Sequence, residues 1–100
     1  MRYFFYKLIG PRPSFPADMT PAERQLMQEH GQYWRGQMAQ GKVVAFGPVA
    51  DPKGVFGVAI VRLEDGTDPK SLVDGDPVIK AAAGFSFDIY PMPQAIHPEF

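Results

Sequence analysis

Two short signals, Thr20-Pro21-Ala22-Glu23 and Gly41, bracket the single long stretch of helical periodicity in this chain of 100 residues. The Thr20 hydroxyl can accept from the Glu23 amide while the Glu23 side chain reaches back to the Thr20 amide. Pro21 falls at the first helical position, where its missing N–H costs nothing. Gly41 supplies a left-handed stop. The brackets predict one helix from Pro21 to about Gln40. Within it Glu23, Met27, His30, Trp34 and Met38 follow at steps of three or four and share a face, with Leu26, Tyr33 and Gln37 beside them. Gly31 and Gly36 each cost about 1 kcal/mol relative to Ala inside a helix. They mark either a close approach by another element or tolerated surface positions.

Strand-like runs flank this helix. Tyr3 to Ile9 is aromatic and branched and ends at Gly10-Pro11-Arg12-Pro13. Lys42 to Phe46 forms a second strand, ended by Gly47-Pro48. Asp51-Pro52-Lys53-Gly54 is turn chemistry and leads into a third, Val55 to Leu63, expected to pair with the second as a hairpin. Asp68-Pro69 opens a short helix to about Val73, and Asp76-Pro77 opens another over Val78 to Ala83, stopped by Gly84. In the last strand, Phe85 to Tyr90, Phe85, Phe87 and Ile89 share a face. The order β-α-β-β-α-β predicts an α+β, ferredoxin-like fold: an antiparallel four-stranded sheet with its helices on one face. The chain reads as a single domain, with a core over residues 1–91 and a C-terminal tail over 92–100.

The helix-free face should be polar, yet two strands are apolar on both sides. Strand one places Phe4, Tyr6 and Leu8 on one face and Tyr3, Phe5 and Ile9 on the other. Strand three divides into Val55, Ala59 and Val61 against Phe56, Val58 and Ile60. An apolar patch of that size marks an interface. The expected closure is a homodimer packed sheet to sheet, and the alternative is a ligand cavity on that face.

Composition narrows the chemistry. The net charge is −1 with no basic stripe, which gives no reason to expect nucleic acid as a partner. There is no cysteine, so disulfides, thiol nucleophiles and thiolate metal sites are excluded. The apolar run Tyr3 to Ile9 is too short to span a bilayer and has no small-residue cleavage site, so the expectation is a cytoplasmic protein without a membrane partner. His30 and His97 are the two histidines, and no carboxylates stand at ligand spacing, so neither a metal nor another cofactor is expected. His97 lies in a proline-flanked tail and is expected to be solvated.

His30 is the group that can do chemistry. Imidazole titrates near neutrality, at about 6.5 when unperturbed, and can serve as general acid or base once a carboxylate orients it. Taken alone, the same residue is more ordinarily a packed helix histidine. Asp76 is the leading partner: if both helical regions pack on one sheet face, the start of the second approaches the middle of the first, and the two residues would form a dyad. Capping alone also accounts for Asp76, and Asp51, Asp68 and Asp74 are rivals for the role.

Met27-xx-His30-xx-Tyr33-Trp34, then Gly41-Lys42-Val43, Phe46-Gly47-Pro48-Val49 and Asp76-Pro77-Val78-Ile79-Lys80-Ala81, resembles the YCII-related family in order and spacing. The resemblance runs from the first strand to Tyr90. It implies a dimeric α+β barrel and a His-Asp pair in a pocket near the dimer interface, here His30 and Asp76, with Met27, Tyr33, Trp34 and Phe46 as substrate-binding neighbours. Members of that family include an enzyme that eliminates hydrogen chloride from a chlorinated aromatic, and others linked to regulatory proteins. Many relatives carry an arginine where this chain has Met27 and an aromatic where it has Val78, which implies a less polar pocket here. The function expected is cofactor-independent acid/base catalysis, an elimination or isomerisation of a small aromatic or enolisable molecule. The alternative is a non-catalytic dimeric module that binds a ligand or protein.

Overall fold

The computed structural model describes residues 1–100. Its elements are β1 (Arg2–Ile9), α1 (Pro21–Ala39), β2 (Val43–Val49), β3 (Phe56–Leu63), α2 (Lys70–Asp74), α3 (Pro77–Lys80) and β4 (Ser86–Met92). Both bonds of the capping box form, Glu23 N to Thr20 Oγ1 at 3.1 Å and Thr20 N to Glu23 Oε1 at 2.9 Å. The helix stops at Gly41, whose φ of 76° is open to glycine at little cost. A Cβ on Gly36 would meet nothing, and one on Gly31 would touch only the Arg35 side chain, so these glycines accommodate no close neighbour.

The four strands form one antiparallel sheet in the order β2-β3-β1-β4. This is the ferredoxin-like arrangement, with the helices on one side. Two strands run further than the sequence suggested. β2 continues through Gly47-Pro48 to Val49, and β4 continues through Pro91 to Met92. The reason is shared: both are edge strands, and proline is tolerated where its missing N–H removes no bond on the outer side. The second helical region splits into two short pieces. α3 ends at Lys80 because the chain turns at Ala82, which takes a left-handed φ of 51° before Gly84 can act as the stop.

Alternation along the strands sets the core. Phe4, Tyr6 and Leu8 of β1 lie opposite Val61, Ala59 and Gly57 of β3. With Val43 and Leu63 they face Trp34 of α1, Leu72 and Val73 of α2 and Val78 of α3. Gly57 lets β3 pass close to β1's side chains: a Cβ there would stand 3.1 Å from Leu8 Cβ.

The other face carries Tyr3, Phe5, Phe56, Val58 and Ile60, all half-buried, with Ile9 and Tyr90 exposed. One end of it is covered by the tail. His97 Nε2 is 2.7 Å from the Tyr3 hydroxyl, and the Phe100 ring lies 4.1 Å from the Arg62 guanidinium. His97, expected to be solvated, is half-exposed and also meets a partner on the sheet.

Candidate functional site

His30 lies in the middle of α1, on the face turned toward the sheet. Its Nδ1 stands 2.7 Å from Asp76 Oδ2. Asp76 precedes Pro77 in extended conformation (φ −72°, ψ 130°), and its other oxygen, Oδ1, accepts from the Val78 amide at 3.0 Å. Asp76 therefore caps α3 with one oxygen and meets His30 with the other. A third bond comes from Trp34, whose Nε1–H donates to Oδ2 at 2.7 Å. Asp76 is 0% exposed, and a buried carboxyl group needs such partners. Because the indole and the Val78 amide can only donate, Asp76 serves as an acceptor. His30 Nδ1 therefore carries the donated hydrogen, and in the neutral ring Nε2 holds the free lone pair. Nε2 has no protein partner.

The rival carboxylates are spent elsewhere. Asp51 accepts from the Lys53 amide and Asp68 from the Lys70 amide, while Asp74 pairs with Lys70 at 2.8 Å.

Beside His30 a cavity of about 240 Å³ opens between α1, the sheet and the loop after β1. Met27, His30, Trp34 and Phe46 line it, joined by Leu8, Phe15, Met19 and Phe87. Tyr33 does not. Its hydroxyl donates to the Leu72 carbonyl at 2.7 Å and its ring packs against Gly75. Burial, followed by the nearby Asp76 charge, pushes the Tyr33 hydroxyl above the ordinary tyrosine range. Tyr6 is raised further, first by burial, and its hydroxyl donates to the Pro69 carbonyl. Both phenols are fixed as neutral donors within the core, which leaves His30 as the titratable group of the cavity wall.

The loop wall was invisible from sequence spacing. Arg12 holds it down, donating to Glu23 Oε1 and Oε2 at 2.7 Å each and to Asp18 Oδ2 at 2.9 Å. That pairing, and next the Thr20 amide, holds the Glu23 carboxyl down at about 2. Phe15 is thereby placed edge-on to Phe85, with ring centroids 5.2 Å apart. The role of Trp34 toward Asp76 did have a signal: it lies four residues after His30, on the same helical face. No three His, Cys, Asp or Glu side chains are grouped closely enough to hold a metal ion, and no helix is long and apolar enough to cross a membrane.

No curated protein sequence matches the chain. A solved structure described as a formyltetrahydrofolate deformylase from Pseudomonas putida KT2440 is similar at 14% identity and a TM-score of 0.44. The match covers 90% of this chain but 28% of that one, so this chain spans little more than a quarter of its length. The model of the YCII-related domain matches residues 1–93, every strand and helix described above included, and the chain belongs to that family.

Proposed function

We propose that the protein is a cofactor-independent acid/base enzyme that moves a proton on a small aromatic or enolisable molecule, in an elimination or isomerisation. The observation that carries this reading is the polarity of the His30 ring. Nδ1 is committed to a fully buried carboxylate, while the ring itself is 14% exposed along the cavity wall. A histidine kept only for packing would have no need of a desolvated partner, since burying a carboxylate is costly even when it is bonded. In the proposed reaction Nε2 takes a proton from the bound molecule, Asp76 stabilises the imidazolium that results, and the same nitrogen returns the proton to the leaving group or to a second carbon. Trp34, Met27 and Phe46 supply apolar walls that exclude water. The apolar outer sheet face supports a homodimer as the working form.

The test reads proton abstraction directly. A panel of enolisable and phenolic ring compounds is incubated with the protein in D2O, and loss of proton signal is followed by NMR. Wild-type protein should accelerate exchange for at least one compound, and His30→Gln should not. Equal exchange with both proteins would overturn the reading in favour of a non-catalytic binding module.

A further inference from the structure

We propose that the cavity selects a neutral single-ring molecule bearing one acidic group and rejects ligands that arrive as anions. This rests on the acid/base reading of the same site and names its substrate class. Among the residues lining the cavity there is no Lys, Arg, Asp or Glu. Two lining side chains carry a nitrogen, His30 and Trp34, and the Trp34 N–H is already committed to Asp76. The one uncommitted side-chain polar atom in the wall is therefore His30 Nε2. Lys7 does not line the cavity; it lies on the outer side of the sheet, 4.7 Å from the ring of Phe56, a residue that does line it.

The charge balance follows from this inventory. With a neutral imidazole, the dyad carries the single negative charge of Asp76. A neutral acid that passes its proton to Nε2 leaves an imidazolium between two anions, and the total stays at one negative charge. A ligand already anionic would have to draw a proton from water onto Nε2 to keep that total, and it would lose its hydration in an apolar wall with no cation to replace it. The volume agrees: about 240 Å³ exceeds an engineered apolar cavity of roughly 150 Å³ that takes up benzene. One ring with a small substituent fits.

Trp34 is the sole tryptophan and lines the cavity, so its fluorescence reports occupancy. The probes are 4-methylphenol, toluene and 4-methylbenzoate at pH 7, which share a shape and differ in the polar group. Saturable binding is expected for 4-methylphenol, about five-fold weaker binding for toluene, which lacks the hydroxyl to donate to Nε2, and none for 4-methylbenzoate. Met27→Lys, which places a cation one helical turn before His30, should admit 4-methylbenzoate. Wild-type binding of 4-methylbenzoate as tight as that of 4-methylphenol, or no saturable response to any probe, overturns the proposal. The readout is binding without turnover, so it fails or stands separately from the exchange experiment: selective binding with no exchange would retire the enzyme and keep the ligand class.

Discussion

Trp34 donates its indole N–H to the same Asp76 oxygen that His30 Nδ1 meets, each at 2.7 Å. The indole thus fixes the carboxylate that fixes the imidazole, and it does so 1% exposed in the centre of the core. Trp34→Phe keeps an aromatic ring and removes the donor. The fully buried Asp76 then loses one of three bonds, at a cost of about 1–3 kcal/mol, to which the lost ring volume adds. Urea unfolding followed by circular dichroism measures the sum. A loss under 0.5 kcal/mol would mean that the bond contributes nothing net.

Asp76→Asn tests the tautomer. If the amide oxygen stays on the Val78 amide, its NH2 group faces both Trp34 and His30. The indole N–H is left without an acceptor, and the imidazole must turn Nδ1 into the acceptor and carry its hydrogen on Nε2. The Nε2 lone pair proposed to act as the base is then gone. Proton-exchange activity should fall by roughly 10²–10⁴-fold, and the imidazole 15N shifts of His30 should report the opposite tautomer from wild type. Unchanged 15N shifts would show that Asp76 does not set the ring's orientation.

Much of this architecture could be read from the residues. The capping box, Gly41 and strand alternation are local rules, and the chain obeys each of them. The prolines at 48 and 91 misled about strand ends because edge position is a property of the sheet order, which no local signal encodes. His30 and Asp76 were legible as candidates, but two facts that define their chemistry were not. The third hydrogen bond on Asp76 needs the rotamer of Trp34, and although Met27 already implied a less polar pocket, the wholly cation-free wall needs the loop from Pro11 to Met19 to fold back over α1. Tyr33 shows the converse. It neighbours the stripe in sequence, yet the helix turns it toward α2, where it bonds Leu72 instead of lining the cavity.

The outer sheet face supplies the test of assembly. Ile60 lies on the central strand β3, half-buried, between β2 and β1. In a sheet-to-sheet dimer it would be buried, and a charge there would be left unpaired. Ile60→Glu should convert a dimer to a monomer in sedimentation velocity while the circular dichroism spectrum is kept. A wild-type monomer at tens of micromolar would refute the sheet-to-sheet homodimer.

Gly75 and Tyr33 should couple strongly. A Cβ on Gly75 would lie 2.5 Å from the Tyr33 hydroxyl oxygen, which is held by Leu72 and cannot move without breaking that bond. Gly75→Ala should cost about 1–3 kcal/mol. Tyr33→Phe removes the obstructing oxygen, so the double variant should lose less than the sum of the two, with an interaction energy of about 1 kcal/mol. Strict additivity in denaturant unfolding would place the two residues out of contact.

Acid sensitivity should trace to the loop that walls the cavity. Glu23 is held at about 2, below its ordinary value of 4.5, first by the Arg12 hydrogen bonds and next by the Thr20 amide. Asp18 is lowered too, by Arg12 and then Ser14. A carboxyl with a depressed folded-state value binds fewer protons folded than unfolded. Its contribution is therefore complete above about pH 4.5 and is lost as pH falls from there toward 2. Glu23→Gln cannot titrate and accepts a weaker bond from Arg12. Its melting temperature should lie below wild type by a constant amount above pH 5, and the gap should close as pH falls toward 2. Amide exchange in the Phe15 to Met19 segment should quicken over the same range in wild type. Parallel melting curves for the two proteins down to pH 2 would show that the Arg12–Glu23 pair does not hold the loop.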